Sequence, residues 1–240
     1  MKLVLYQHPF ASYCHKALIA LYELDLPFES FIVEGEEGRA ELARLWPMAS
    51  IPVLRDEDAA LTIPESTTIV EYLDGLAPGG PALIPAAAGE ALQARLWDRF
   101  GDQYLSTPMQ KIVGDSLRPE GRKDPEGVAE ARHRLDAAYG VLDARLADRP
   151  WAGGDTFTLA DCAIFPPLFY MWAIHRWDVD AHANITRYYR DLLARPSIAR
   201  VVEEARPYRH LFPLPWPPDQ DDLAPVQSGS PMRRSNPAGA

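Results

Sequence analysis

Cysteine is nearly absent: the 240 residues hold two, Cys14 and Cys162. That excludes a disulfide-stapled scaffold, which needs several cysteines at set spacings, and makes a reducing cytoplasm the default setting. No apolar run approaches the roughly 20 residues of a membrane span. The stretch MKLVLYQHPF has one basic residue and a four-residue apolar run, too short for the core of a signal peptide. Positive charge is in deficit, with 24 Lys and Arg against 34 Asp and Glu, a formal net charge of −10. Such a balance argues against general nucleic-acid binding, which needs cations to neutralise phosphate, and against docking on anionic lipid. The histidines His8, His15, His133, His175, His182 and His210 form no pair at metal-ligand spacing in a fitting context, so no metal is assigned. No internal repeat is visible.

What is present is an ordinary globular mixture, 47% apolar and 24% charged, long enough for two small domains. The first half changes period repeatedly. Residues 2–6 read as a buried strand. Cys14, Ala17, Leu18, Leu21 and Leu24 then recur at helical spacing behind Ser12, a candidate N-cap, and Pro27 stops that helix. Residues 28–33 read as a second strand and 38–46 as a short helix. Residues 51–56 and 60–63 flank an acidic turn as a hairpin, and a helix follows with Ser66 placed to cap it. This order is the thioredoxin-like arrangement, a small mixed sheet with helices on both faces. The predicted boundaries are an α/β domain over 1–77 and a Gly/Pro/Ala-rich linker over 78–85. Strand signals then vanish. An all-helical domain is predicted over 86–212, with helices across 88–117, 124–148, 159–177 and 184–205 and breakers that include Pro150 and Pro196. An irregular tail follows over 213–240.

Three local patterns narrow the fold to a family. Ser12-x-x-x-Lys16-Ala17-Leu18-Ile19-Ala20-Leu21 has the form of a hydroxyl just ahead of a first helix. Ser50-Ile51-Pro52-Val53-Leu54 precedes Glu65-Ser66 by ten residues. Trp151-Ala152-Gly153-Gly154-Asp155-Thr156-Phe157-Thr158-Leu159-Ala160-Asp161 contains the Thr-x-x-acid of a capping box. Together, in this order, they resemble the cytosolic glutathione transferases over residues 1–210, and the serine resembles that of the bacterial, theta-like classes.

The resemblance implies a site for glutathione as co-substrate. Ile51, ahead of a cis Pro52, would pair its backbone with the cysteinyl unit. Ser66 would bind the γ-glutamyl carboxylate at a helix start and Glu65 would face its ammonium. Thr158 and Asp161 would cap a central helix, a folding role. The chemistry needs a thiolate, and a free thiol has a pKa near 8.5. A helix end supplies only about 0.3–1 kcal/mol of the roughly 1.4 kcal/mol each unit of lowering demands. A hydrogen bond must do the rest, and Ser12 is the expected catalytic donor. Tyr6, ending the first strand, and Cys14, at the resolving position of a glutaredoxin-type pattern whose attacking position is Ala11, are the alternatives. The glycyl end departs from the family pattern: Ser50 stands where Lys or Gln is usual, leaving Ser50, Arg39 or Arg44 for that carboxylate.

Phe10, Tyr104, Met109 and Trp172 are expected to wall a pocket for a small hydrophobic electrophile, although helical core packing also accounts for their spacing. The function expected is conjugation of the glutathione thiolate to such electrophiles by a homodimer. The competing readings are a glutathione-dependent reductase or isomerase using Cys14, and a binding protein that keeps the fold without the activity.

Overall fold

A computed structural model describes residues 1–218. The first half runs β1 (Leu3–Gln7), α1 (Ser12–Glu23), β2 (Glu29–Ile32), α2 (Gly35–Leu45), β3 (Val53–Asp56), β4 (Leu61–Pro64) and α3 (Ser66–Leu76). The sheet order is β2-β1-β3-β4. β2 lies parallel to β1, while β3 and β4 continue antiparallel. Alternation along β1 sends Leu3 and Leu5 into the core with Leu18, Leu21 and Ile69 of α1 and α3. Tyr6 falls on the opposite face, its ring 4.8 Å from Phe31. The fold is thus a thioredoxin-like α/β half joined to an all-helical half.

The helical half comprises α4 (Ala88–Phe100), a π-helical turn (Gly101–Ser106), α5 (Thr107–Ser116), α6 (Pro125–Leu146), α7 (Leu159–Ile174), α8 (Ala183–Leu193) and α9 (Pro196–Ala205). The single helix expected over 88–117 is therefore broken by a π turn. The tertiary reason is a close crossing. A Cβ on Gly101 would lie 2.9 Å from the Ala163 carbonyl oxygen of α7. That carbonyl has lost its helical donor, because Pro167 carries no N–H. The stretch 184–205 is likewise two helices, parted at Pro196.

α7 is apolar and buried nearly all round, which marks it as the central helix of the molecule. Its start is fixed by a capping box. Asp161 accepts from the Thr158 N–H at 2.8 Å, and the Thr158 side chain accepts from the Ala160 N–H. Asp161 also accepts from the Tyr188 hydroxyl at 2.6 Å and the Ala152 N–H at 2.9 Å. Such a cap is worth about 1 kcal/mol. α1 is sandwiched between the sheet and α7, so the two halves share one continuous core.

Residues 213–218 have no regular structure, yet Leu214 and Trp216 pack on that core. The rest of the expected tail, 219–240, lies outside the described residues. Among the described residues no helix is long and apolar enough to cross a membrane.

Candidate functional site

One row of the sheet assembles the site. Tyr6 pairs with Val53, and Val53 pairs with Pro64. β1 runs out of this row, β3 runs into it and β4 runs out of it. The chain after β1, the chain before β3 and the chain after β4 therefore leave the sheet at the same edge. These segments carry Ser12, Ile51-Pro52 and Glu65-Ser66.

Ser12 and Ser66 are not caps. Ala11 holds the cap position of α1 and Glu65 that of α3, so each serine is the first residue inside its helix. Neither hydroxyl is consumed in capping. Each helix start leaves backbone N–H groups outside the helical ladder, pointing at the common edge. Ser12 is 7% exposed and sits where α1 meets α5; its Oγ accepts from Gln110 Nε2 at 3.2 Å. A hydroxyl that accepts there keeps its own proton to donate elsewhere.

The Ile51–Pro52 peptide bond is cis. Ile51 takes part in no backbone–backbone hydrogen bond among the described residues, so its N–H and C=O are open to an extended ligand. Glu65 has φ 68° and ψ 121°, a strained region for a residue with a Cβ. Such strain costs about 1–3 kcal/mol and collects at functional sites. Upstream, the Ala49 N–H bonds the Trp46 carbonyl at 2.8 Å in a turn that leads to exposed Ser50. The Trp46 Nε1–H is buried without an acceptor among the described residues.

The sequence shares 31% identity over 192 residues with glutathione S-transferase GstB of Escherichia coli K12, covering 78% of this chain and 91% of that protein. The chain belongs to the glutathione S-transferase family. Residues 5–81 match the family's N-terminal domain and residues 125–191 its C-terminal domain. A probable maleylacetoacetate isomerase of Vibrio cholerae is 30% identical over 220 residues, covering 86% of this chain and 98% of that one. A glutathione S-transferase of Methylobacillus flagellatus KT, solved with GSH bound, superposes with a TM-score of 0.75 at 25% identity. That match covers 83% of this chain and 98% of the solved one.

Within this glutathione S-transferase fold, the two alternatives to Ser12 have different surroundings. Tyr6 lies across the sheet from α1, and burial raises its hydroxyl pKa. Cys14 is fully buried in α1, and burial pushes its thiol up to about 12. It cannot serve as an exposed thiolate.

The four expected pocket residues do not form one pocket. Phe10 packs with Tyr170, Phe212 and Trp216. Met109 is in the core. Tyr104 lines an outer groove of about 730 Å³ between α4 and α6, with Leu96, Trp97 and Val141. Trp172 lines a separate cleft of about 200 Å³ beside Arg176 and Arg190. Helical periodicity registers an apolar face without saying which neighbour that face meets.

Arg44 pairs with Glu41 at 2.8 Å, which occupies one of the cations considered for the glycyl end. Sequence reasoning also missed Gln110, whose relation to the site exists only across the fold. Among the described residues no group of three or more His, Cys, Asp or Glu could hold a metal ion.

Proposed function

We propose that the chain conjugates the thiolate of glutathione to small apolar electrophiles. The observation that carries this is the shared sheet edge, where the unpaired Ile51 backbone stands between two open helix starts. An extended anionic tripeptide matches that set of donors. Its cysteinyl unit pairs with Ile51 ahead of Pro52. Its γ-glutamyl carboxylate takes Ser66 and the N-terminus of α3, and its ammonium faces Glu65. Its glycyl carboxylate takes exposed Ser50.

The sulfur then lies at the start of α1, and Ser12 donates its proton to it. That hydrogen bond and the helix end together favour the thiolate. The sulfur lone pair forms the new bond to carbon, and the leaving group departs with the electrons of the bond it breaks. The ring cluster of Phe10, Phe212 and Trp216 supplies an apolar wall for the electrophile, with Phe10 two residues before Ser12 in the chain.

The working unit is a homodimer. Leu96, Tyr104 and Val141 are all more than half exposed and line the α4–α6 groove, an apolar face that a second copy covers. A single-chain mass in sedimentation would remove this part. The two free buried thiols fit a reducing cytoplasm.

Titration calorimetry with glutathione tests the reading. Saturable heat is expected, and no heat at millimolar peptide would overturn it. The likeness to the probable isomerase of Vibrio cholerae favours a second reading, a glutathione-dependent isomerase on the same cradle. A product that carries the tripeptide, seen by mass spectrometry, decides for conjugation.

A further inference from the structure

Lys16 is 1% exposed, an extreme burial for a lysine. It lies one helical turn after Ser12, on the same face of α1. Its ammonium donates two hydrogen bonds and makes one further ion pair. Nζ reaches Asp98 Oδ1 at 2.5 Å, Asp102 Oδ2 at 3.0 Å and Thr67 Oγ1 at 2.7 Å. Asp98 is itself 1% exposed at the end of α4, and Asp102 sits in the π turn. Arg99 closes the cluster, reaching Asp102 at 2.6 Å and Thr67 at 2.8 Å. The two cations balance the two carboxylates.

Thr67 is the second residue of α3, directly after Glu65-Ser66. The cluster therefore joins the helix that presents Ser12 to the helix that presents Ser66, and clamps both to the helical half. We propose that Lys16 is a positioning residue that sets, through Thr67, the spacing between the two helix starts holding opposite parts of glutathione. This rests on the glutathione reading above. A tripeptide that must touch both starts at once binds well only at one spacing, so loosening the tie weakens binding of the peptide more than it slows the chemistry on peptide already bound.

A buried charge stripped of its partner destabilises the fold, so Lys16→Met alone is an unsafe test. Thr67→Val leaves the ion pairs in place and removes only the hydroxyl that links them to α3. Steady-state kinetics on the full chain should show KM for glutathione rising about tenfold in Thr67→Val, with kcat at saturation within about threefold of the parent. Thr67→Ser restores the hydroxyl and should restore the parent KM. A folded Thr67→Val with the parent KM overturns the role of Lys16, as does a Thr67→Ser variant that stays as impaired as Thr67→Val. Calorimetry on the unaltered protein separates the two levels: parent chain that takes up glutathione while Thr67→Val keeps its KM sinks this inference alone, whereas parent chain that takes up none sinks the glutathione reading with it.

Discussion

The Gln110 side-chain amide of α5 donates to Ser12 Oγ of α1 at 3.2 Å, across the boundary between the two halves. The bond orients the hydroxyl so that its proton faces away from Gln110. If Ser12 donates to the glutathione sulfur as proposed, Ser12→Ala removes a hydrogen bond to a charged group, worth about 1.5–3 kcal/mol, so kcat/KM should fall by roughly 10- to 100-fold while Tm barely moves. Gln110→Ala should give a smaller loss of the same kind, because the hydroxyl remains but is free to rotate. Turnover unchanged in Ser12→Ala would take the sulfur away from this residue.

Glu65 is held at φ 68°. Glycine adopts such a conformation without the Cβ penalty, at some cost in unfolded-state entropy. Glu65→Gly should therefore fold with equal or higher Tm, a gain of about 1 kcal/mol at most. The same variant should bind glutathione at least about tenfold more weakly, because it lacks the carboxylate proposed to face the ammonium. A lowered Tm together with parent affinity would mean that the strain serves the fold rather than the ligand.

Cys14 and Cys162 are both fully buried, and burial raises both thiols, Cys14 to about 12. A thiol reagent added to native protein near neutral pH should find neither, and two after denaturation. Rapid labelling of Cys14 in the native state, or a mixed disulfide there with glutathione, would revive the reductase reading.

His15 is buried within α1, its Nε2 donating to the Pro9 carbonyl at 2.7 Å while its ring stacks on Tyr170. Burial lowers its pKa from 6.5 to about 4. The unfolded chain therefore takes up this proton first as pH falls. The stability involved is fully present above pH 6.5 and is lost as pH drops toward 4, up to about 3 kcal/mol. Asp161 slopes the other way, since burial raises its carboxyl from 3.8 to about 6. The difference between parent and His15→Leu isolates the histidine: Tm of the variant should fall less steeply between pH 6.5 and 4. Parallel Tm curves would show that His15 does not titrate in that window.

The order of elements and the two-part plan were legible because they are written in local terms. Period-two alternation, period-3.6 stripes, Pro27, Pro150 and Pro196 all act on neighbours within a few residues. The capping box at Thr158 and Asp161 is equally local, since both partners lie within one helical turn. Ile51-Pro52 and Glu65-Ser66 stood out as sequence for the same reason. What brought them together is the row Tyr6–Val53–Pro64, a matter of strand register, and register is set by pairing between distant segments. The same limit explains the misplaced pocket residues. Tyr104 lies in the π turn and Trp172 in the apolar α7, and the crossing of the helices decides whether such a side chain meets a cleft, a core or open solvent. Lys16 is the clearest case. In the sequence it is one basic residue in a helix, and only packing against Asp98, Asp102 and Thr67 makes it buried, charge-paired and central. Short-range propensity thus determined which segments become helix or strand, while the choice of which polar groups face each other belonged to the tertiary structure, because burial and pairing are properties of chains brought together from far apart in the sequence.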